Sequence, residues 1–335
     1  METNDPGMQL FQMISGMWVS QSLATMARFG IADKLASGER DVESMASECG
    51  CNAESLFRMM RALSKAGVFE QSGDRKFKNN AVSEILRDDH ERSLRWMAVT
   101  QCDPGHWRPW GHAHDAVMSG EPQAEKILGH APWDYFERNP EEAGRFGQAM
   151  TNMSAQAIEG ITSGYDFSKY EHIVDVGGSH GTLLAAMLDK APNAKGVLFD
   201  LPPVIEMATE ELGEHPMKSR IEMAPGNFFD CVPEGGDLYT LKHIIHDWND
   251  DKAEGILLSV RKCIRDDGTL LILDAVLAPQ APPLAWWLDV HMMVMLDGKE
   301  RTPEEFGALL GKAGFEMTNI IPTPSPVAIV EARPV

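Results

Sequence analysis

Two histidines, His243 and His246, lie three positions apart in the segment LKHIIHDWND, residues 241–250. A neutral imidazole within hydrogen-bond reach of a hydroxyl is suited to accept its proton, because imidazole has a pKa of about 6.5 and a phenol one of about 10. An imidazolium that forms away from water needs a carboxylate to orient and stabilise it. The segment therefore offers a candidate general base, whose partners must be acidic residues that the fold brings close.

A glycine-containing turn, DVGGSHG at residues 175–181, is the second candidate site. Its glycines Gly177, Gly178 and Gly181 do not match the G-x-G-x-x-G spacing that holds a pyrophosphate, so the turn alone is a weak signal. Asp200 closes the next apolar run, where a carboxylate can accept both hydrogen bonds from a ribose diol. Together they predict a nucleoside cofactor, with an ordinary strand-end cap as the alternative for Asp200.

Strands and helices alternate from about residue 170, an order typical of a doubly wound parallel sheet. Ligands bind such a sheet beyond the carboxyl ends of its strands, where both candidate sites fall. The predicted strands are HIVDVGG, AKGVLFDLPPV, GDLYTLKHII and GTLLILDAVL, and the predicted helices are TLLAAMLDKAP and AEGILLSVRKCI.

The first hundred residues have a helical pattern, with apolar residues recurring at three and four positions in SLATMARFGIADKLA and AESLFRMMRALSKAG. We expect the second of these helices to begin after Asn52 as its N-cap and to stop at Gly67. VFEQSGDRKFKNN then predicts two short strands about the turn SGD. Helix, helix and hairpin is the order of a winged helix.

A winged helix raises the possibility of a DNA-binding regulator, with Arg58, Arg61 and Lys65 on its second helix. Residues 1–100 contain slightly more acidic than basic side chains, so they lack the positive charge that binds DNA. A packing or dimerisation module is therefore favoured.

The composition excludes several classes of function. A chain of 335 residues, 43% of them apolar, is long for one domain and sufficient for two. Its formal charge of −20 repels phosphate backbones and anionic membranes, so neither nucleic acid nor a membrane is an expected partner. The sequence contains no basic signal segment and no apolar run long enough to span a membrane.

The cysteines form no C-x-x-C pair and have no matched histidine spacing. We therefore expect neither a zinc site nor a disulfide framework, and we expect a reduced, cytoplasmic setting. The five residues are Cys49, Cys51, Cys102, Cys231 and Cys263.

A helical linker region, residues 101–165, separates a first domain of residues 1–100 from a last domain of residues 166–335. Its histidines do not form a recognised metal-ligand pattern, so we expect no metal there. We interpret them instead as polar residues at the rim of the linker helices. Its large aromatic side chains are core residues or line a pocket for a flat substrate. These histidines are His106, His112 and His114, and the aromatic residues include Trp107, Trp110, Trp133 and Phe146.

Four longer stretches together resemble the S-adenosylmethionine-dependent small-molecule O-methyltransferases, the family of plant caffeate-type, hydroxyindole and bacterial antibiotic methyltransferases. They are VDVGGSHG, LFDLPPV, PGNFFDCVPEGGDLYTLKHIIHDWNDDKAEGIL and DGKERTPEEFGALLGKAGF. FGIADKLASG, RMMRALSKAGVF and WDYFERNPEEAGRFGQAM are similar to that family's dimerisation module and linker helices. The resemblance covers nearly the whole chain. It implies an α/β fold with a Rossmann-like methyltransferase sheet, a winged-helix dimerisation domain, a homodimer and S-adenosyl-L-methionine as cofactor.

The resemblance also implies roles in the nucleoside site. Gly177 is expected against the amino-acid part of the cofactor, Asp200 on its ribose, and Leu201 and Phe228 on either side of its adenine. The expected cofactor-binding residues are Gly177, Asp200, Leu201, Gly226, Asn227, Phe228 and Lys242.

Two positions depart from the family pattern. Ser179 stands where the family usually has a glycine, and we expect this small side chain to be tolerated. Asn227 stands where the family usually has an aspartate before the adenine-stacking residue, which predicts a weaker contact at that point.

The same resemblance places the general base on His246 and its flanking acids at Asp274 and Glu300. We interpret His243 as a packed or surface residue. Asp247 either joins this cluster or caps the following helix.

The segment PLAWWLDVHMMVMLDG places Leu288, Met292 and Met295 on one helical face, with His291 beside it. Methionine side chains adapt to irregular and flat ligands, although each of them is equally suited to a helix core. The expected acceptor-binding residues are Trp287, His291, Met292 and Met295.

The resemblance implies transfer of a methyl group to a hydroxyl of an aromatic or polyketide-like small molecule that no motif identifies. The alternatives are a non-methylating relative that binds the same cofactor for decarboxylation, hydroxylation or rearrangement, and a nicotinamide oxidoreductase. The presence of His246, Asp274 and Glu300 favours methyl transfer, because a protein that does not methylate has no need of that base.

Overall fold

The structure, a computed structural model, describes residues 5–213 and 215–335. These residues form two units. The first contains the chain up to Gly111 together with Ala124–Ser154, and the second contains His112–Gln123 and Ala155–Val335.

The first unit is helical with a small antiparallel sheet of order β1-β3-β2. Its strands are β1 Arg40–Asp41, β2 Phe69–Gln71 and β3 Lys76–Asn79. The helices as far as residue 164 are α1 Pro6–Ile14, α2 Gly16–Arg28, α3 Ile31–Lys34, α4 Val42–Cys49, α5 Ala53–Lys65, α6 Ala81–Glu84, α7 Arg95–Thr100, α8 Pro104–Trp110, α9 Ala113–Ser119, α10 Ala124–Leu128, α11 Pro132–Arg138 and α12 Pro140–Gly164. Of these, α9 belongs to the second unit, and α12 continues from the first into the second.

The second predicted helix and the hairpin are confirmed. Helix α5 begins after Asn52, whose side chain accepts a hydrogen bond from the backbone N–H of Ser55 at 2.9 Å. It ends at Lys65, two residues before Gly67, and β2 and β3 then pair antiparallel. The apolar residues that predicted this helix form its buried face, with Leu56, Met60 and Leu63 in the core of this unit.

The first predicted helix differs, because it is divided at Gly30. Helix α2 ends at Arg28 and α3 begins at Ile31, while Gly30 has a left-handed φ of +61°. Glycine adopts this conformation at little cost, and the turn directs Ile31 and Leu35 into the core. Strand β1 was not predicted, since two residues are too few to show an alternating pattern.

The linker-region histidines fit the expected polar rim only in part, because His112 lies on the surface whereas His106 is buried among aromatic rings. His106 is buried against Phe136 and Phe146, with ring centroids 6.0 and 5.4 Å away, and its burial lowers its pKa to about 4. Phe136 and Phe146 stack at 4.8 Å, and Trp133 packs beside them with half of its surface exposed. His112 pairs with Asp115 at 2.9 Å on the surface of α9.

A seven-stranded sheet of order β6-β5-β4-β7-β8-β10-β9 forms the centre of the second unit. The first five strands in that order pair in parallel, and β10 pairs antiparallel with both β8 and β9. The strands are β4 His172–Val176, β5 Lys195–Asp200, β6 Ile221–Pro225, β7 Leu238–Lys242, β8 Thr269–Asp274, β9 Phe315–Pro322 and β10 Ala328–Pro334. The helices are α13 Thr182–Lys190, α14 Pro202–Leu212, α15 Asp250–Cys263, α16 Pro283–Met295 and α17 Pro303–Lys312.

Apolar side chains cover both faces of this sheet. Leu184 of α13 belongs to one buried cluster, and Ile256 of α15 and Leu309 of α17 belong to the other. Strands buried on both faces read as continuous apolar runs, and all six residues of β8 are buried. The predicted doubly wound sheet, its four predicted strands and its two predicted helices are confirmed.

Three strands were not predicted. Strands β6 and β9 are the two edges of the sheet, and several of their side chains are exposed. Edge strands carry a weaker apolar signal than central ones, and β10 joins the sheet antiparallel, outside the strand–helix alternation that the sequence displays.

Within residues 5–213 and 215–335, no helix is both long enough and apolar enough to cross a membrane. The five cysteines are all free thiols.

Candidate active site

The predicted cofactor residues meet at one edge of the sheet. Gly177 follows β4, Asp200 ends β5, Gly226 follows β6 and Lys242 ends β7. Parallel strands present their carboxyl ends at the same edge, so the topology alone brings these positions together.

Gly177 forms a turn that strongly favours glycine. Its φ is +69°, and its N–H donates a hydrogen bond to the carbonyl of Phe199 at 2.8 Å. A Cβ added at this position would overlap the side chain of Ile244. The absence of a side chain leaves a cradle in the backbone, which fits the expected close approach of a cofactor.

Asp200 has both carboxylate oxygens fixed by backbone donors. The N–H of Ser179 donates to Oδ2 at 2.9 Å, and the N–H of Leu201 donates to Oδ1 at 2.7 Å. Burial raises the pKa of this carboxyl, against the opposing effect of these two bonds. Each oxygen retains another lone pair, so the group is held in place to accept two hydrogen bonds from a ribose diol.

Ser179, which stands where the family usually has a glycine, has a strained backbone conformation. Ser179 has a φ of +50°, and only His243 shares a positive φ among the other non-glycine residues that the structure describes. This conformation costs about 1 kcal/mol for a residue with a Cβ. The same backbone conformation directs the N–H of Ser179 towards Asp200, and the resulting hydrogen bond offsets part of this cost.

The segment after β6 has a second fixed turn. The side-chain carbonyl of Asn227 accepts a hydrogen bond from the N–H of Phe229 at 3.0 Å, and Phe228 lies half-buried with its ring 6.3 Å from that of Trp248. Leu201 is half exposed. Asn227 therefore holds the turn while one lone pair of its carbonyl remains for a ligand.

The sequence analysis missed Asp175, although it lies in the DVGG motif. This carboxyl is buried in β4, accepts a hydrogen bond from the Thr240 hydroxyl at 2.6 Å, and has its pKa raised to about 6 by burial. Burial lowers the pKa of Lys242, against the charges of Asp175 and Asp274. An acidic residue inside an apolar strand was the available signal.

The predicted catalytic residues also come together. His246 lies in a 3₁₀ turn, Ile245–Asp247, just beyond β7, and is 7% exposed. Its Nδ1 is 2.7 Å from Oε1 of Glu300, and its Nε2 is 3.4 Å from Oδ1 of Asp247. Asp274 ends β8 and is fully buried.

The carboxylates around His246 determine its protonation. Burial lowers the pKa of this imidazole, but the charge of Asp274, the hydrogen bond of Glu300 and the charge of Asp247 together raise it to about 10. Burial raises the pKa of Asp274 to about 7. The three acids around His246 therefore favour its protonated form, whereas the sequence predicted a neutral base.

This geometry decides between the two alternatives for Asp247. Asn249, not Asp247, caps α15, since its side chain accepts from the N–H of Lys252 at 3.1 Å. Asp247 instead belongs to the His246 cluster. His243 directly follows β7 with a φ of +54°, is about one-third exposed, and lies 5.1 Å from His246 between ring centroids.

The buried Arg301 was also missed, although it fixes the catalytic turn. Its guanidinium donates to the carbonyls of Ile245 at 3.0 Å and Trp248 at 2.9 Å, and to the carboxylate of Asp250 at 2.9 Å. At Gly298 a Cβ would overlap the backbone carbonyl of His246. The loop before α17 therefore lies directly on the turn that carries His246.

The predicted acceptor-binding residues all lie on helix α16, but they differ in solvent exposure. Met292 and Met295 are buried, Trp287 is 62% exposed and His291 is intermediate. Asp289, which was not predicted, accepts the N–H of Glu300 at 3.1 Å and so connects this helix to the catalytic loop.

The fold and site define a protein that holds a nucleoside cofactor beyond a parallel sheet, with an imidazole–carboxylate cluster at the same edge. Comparison with known proteins narrows this class. Residues 110–316 match the model of an O-methyltransferase domain, and residues 11–89 match that of an O-methyltransferase dimerisation domain.

Individual relatives extend the similarity to nearly the whole chain. A phenazine O-methyltransferase of Lysobacter antibioticus is 36% identical, over 97% of this chain and 96% of that protein. A mitomycin biosynthesis 6-O-methyltransferase of Streptomyces lavendulae is 33% identical, over 96% of this chain and 93% of that protein. The structure of human N-acetylserotonin methyltransferase in complex with S-adenosylmethionine has a TM-score of 0.89 at 26% identity, covering 100% of this chain and 99% of that one.

The chain belongs to the O-methyltransferase family and is an S-adenosylmethionine-dependent O-methyltransferase. The predicted family, fold, reaction class and cofactor are confirmed. The dimerisation-domain match accounts for the winged-helix region, so a DNA-binding role for Arg58, Arg61 and Lys65 has no support.

We predict that Arg301→Leu lowers the free energy of unfolding by about 2–5 kcal/mol, because it leaves the buried carbonyls of Ile245 and Trp248 without their donor. Denaturant unfolding measures this change. Arg265→Leu is the matched control, since Arg265 pairs with Asp267 on the surface and its loss should have little effect. Equal destabilisation by the two variants would contradict the role assigned to Arg301.

We predict that Asn227→Asp binds S-adenosylmethionine as tightly as the parent or several-fold more tightly, since a charged acceptor forms a stronger hydrogen bond by about 1 kcal/mol. Asn227→Leu should weaken binding clearly, because both the ligand contact and the bond to Phe229 lose their acceptor. Titration calorimetry on the three proteins tests this, with thermal melts to show that each is folded. Parent-like affinity in Asn227→Leu would remove Asn227 from the nucleoside site.

Proposed function

We propose that this enzyme methylates a hydroxyl of an aromatic or polyketide-like small molecule, with His246 as general base. The observation that carries the proposal is the buried His246, held by Glu300 at 2.7 Å at the sheet edge where Asp200 also lies. A catalytic imidazole needs this kind of fixed orientation, with one ring nitrogen bound to a carboxylate and the other left for the substrate.

When bound, S-adenosylmethionine would supply a methyl group on a positively charged sulfur. The acceptor oxygen would attack that methyl carbon in line, and the carbon–sulfur bond would break to release the neutral thioether. The residues of this chain have two tasks in that step. Gly177 and Asp200 fix the cofactor, so that binding replaces a chance encounter with a defined geometry. His246, once deprotonated, accepts the hydroxyl proton at Nε2 while the new carbon–oxygen bond forms. Glu300 and Asp274 then stabilise the imidazolium.

An aromatic acceptor is supported by the relatives and by α16. The two bacterial relatives are named for phenazine and mitomycin compounds. Helix α16 carries Met292 and Met295, whose side chains adapt to flat ligands, and the exposed indole of Trp287. We propose that Trp287, His291, Met292 and Met295 contact the acceptor.

A labelled-methyl assay tests the reaction. Purified enzyme is incubated with methyl-labelled S-adenosylmethionine and a panel of phenols, hydroxyquinones and aromatic amines, and products are identified by mass spectrometry. Label on an acceptor oxygen supports the proposal. Cofactor binding with conversion of an acceptor but no label transfer would instead support the non-methylating alternative.

We predict that His246→Gln lowers turnover by about 10² to 10⁴, the usual contribution of a positioned general base, while cofactor affinity changes little. His243→Asn should be much milder, since asparagine tolerates the left-handed backbone of this position. Steady-state kinetics and calorimetry separate the two effects. Parent-like turnover of His246→Gln at neutral pH would require another route for the proton.

We predict that kcat/KM rises as the pH increases from 7 towards 10, because the carboxylates keep His246 protonated and a base must first lose its proton. Glu300→Gln removes a partner that raises this pKa, so its profile should rise at lower pH. Two acceptors whose hydroxyls differ in pKa separate ionisation of the acceptor from that of His246. A flat profile for the parent enzyme over this range would contradict the raised pKa of His246.

We further propose a homodimer formed through the start of the first unit. The dimerisation-domain match supports it, as do the apolar side chains that α1 and α2 expose. These side chains are Met8, Leu10, Phe11, Met13, Ile14, Met17, Trp18 and Val19. Eight exposed large apolar side chains within twelve residues are more typical of an interface than of a monomer surface.

We predict that the protein sediments as a dimer at micromolar concentration and that the double change Phe11→Glu and Trp18→Glu shifts it towards the monomer. Charged side chains cannot be buried unpaired in an apolar interface. Val117→Glu, at an exposed apolar residue of α9, is the control and should leave the dimer intact. A monomeric parent protein would overturn the assignment.

A cytoplasmic location is also proposed, supported by the five free cysteines, which a reducing compartment preserves.

A further inference from the structure

His243 lies beside the catalytic cluster and can bind a proton or a metal, but it has no role in the proposed reaction. It lies where β7 ends, and its backbone adopts a left-handed φ of +54° that is rare for a residue with a Cβ. This conformation places its ring 5.1 Å from that of His246 and its Nδ1 4.0 Å from Oδ1 of Asp274. Backbone strain of this kind is typical of functional positions.

The three side chains converge on one point. One ligating atom from each of His243, His246 and Asp274 lies within 4.8 Å of the other two. In the two ranges of the chain that the structure describes, no other group of histidine, cysteine and acidic side chains has this geometry. Two imidazoles and one carboxylate form a ligand set that first-row divalent metals bind readily.

Asp274 supplies an independent observation. Its side chain is fully buried, and neither carboxylate oxygen has a hydrogen-bond partner among the described residues. Asp274 interacts with His246 and Lys242 through its charge alone. A buried carboxylate without a hydrogen-bond donor is costly, and a cation bound directly to its oxygens lowers that cost. By contrast, Asp200 has a donor on each oxygen.

Glu300 gives His246 the orientation of a metal ligand. Its Oε1 lies 2.7 Å from Nδ1, which leaves Nε2, 3.4 Å from Oδ1 of Asp247, as the ring nitrogen for a metal. A carboxylate on the far nitrogen of a ligating histidine is the usual outer contact in metal sites, because it fixes the ring and raises its basicity.

We propose that His243, His246 and Asp274 bind a zinc ion through their two imidazoles and one carboxylate. Tetrahedral ligands at about 2.0–2.1 Å from zinc lie roughly 3.3 Å from each other. The three ligand atoms lie within 4.8 Å of one another, so each must move by about 1 Å to bind the ion. Three protein ligands leave a fourth position for water or for an oxygen of a small molecule. Zinc and the acceptor proton then compete for Nε2 of His246, a consequence that rests on the proposed base, whereas zinc binding itself does not.

Calorimetric titration of zinc into the metal-free full-length enzyme tests the site. The parent protein should bind one zinc ion per chain at this site. His243→Asn and Asp274→Asn should each weaken that binding by more than about tenfold, and Glu300→Gln by about 10- to 100-fold, as is usual for the loss of an outer carboxylate. His112→Ala is the matched control, since it removes a histidine paired with a carboxylate on the surface, and it should bind zinc like the parent.

Two further measurements keep the result unambiguous. Cobalt in place of zinc reports its ligands through its visible spectrum, and a charge-transfer band from thiolate would show binding at cysteine instead. Circular dichroism and thermal melts show that each variant is folded. Zinc binding that His243→Asn and Asp274→Asn leave unchanged, or a thiolate band in the parent, would overturn the proposal.

Inhibition kinetics separate this proposal from the proposed function. Zinc that binds through His243 and also stops methyl transfer supports both. Zinc binding that both His243→Asn and His246→Gln abolish, while turnover continues in the presence of zinc, supports the metal site and removes His246 as the general base.

Discussion

The buried guanidinium of Arg301 is the interaction on which the catalytic geometry depends. It joins the end of β7 to the loop before α17 by donating to the carbonyls of Ile245 and Trp248 and to Asp250. Glu300 is the preceding residue in the same loop, so the bonds that hold the turn also set the carboxylate against Nδ1 of His246. A charged side chain with no exposed surface is stable only when several acceptors surround it, and its planar fork of donors reaches acceptors on two segments at once. The position of the imidazole is thus a property of two packed loops rather than of one flexible side chain.

The sheet edge places two buried acids in opposite environments. Asp200 lies at the end of β5, where two backbone N–H groups hold its oxygens and leave lone pairs for neutral hydroxyls. Asp274 lies at the end of β8, where its oxygens have no donor among the described residues and only its charge interacts with His246. The first carboxylate is therefore prepared for hydrogen bonds, and the second for a cation. Both follow from the same topology, because each acid ends a parallel strand, and the difference arises from the loops that cover them.

The sequence predicted what depends on local pattern and on family motifs. The central strands, α5 with its Asn52 cap, and the meeting of His246 with Glu300 all followed from apolar runs, capping chemistry or the resemblance. What it missed depends on contacts between distant segments. In the sequence, Arg301 of DGKERT cannot be distinguished from an exposed charged loop residue. Its buried partners lie in the turn after β7, more than fifty residues earlier in the chain. The left-handed backbone of His243 likewise has no sequence signal, since histidine is not a residue that marks such turns as glycine does.

The surroundings of His246 show why residue identity alone does not define a base. Three carboxylates near one imidazole raise its pKa and favour its protonated form, whereas the same imidazole with one carboxylate would keep a pKa closer to its ordinary value. The additional acids are costly to bury, so their presence argues for a positive charge at this edge of the sheet during part of the reaction cycle. An imidazolium formed on proton transfer is one such charge, and a metal ion between the imidazoles is another. Both are stabilised by the same negative cluster, and they exclude each other because each occupies the lone pair on Nε2 of His246.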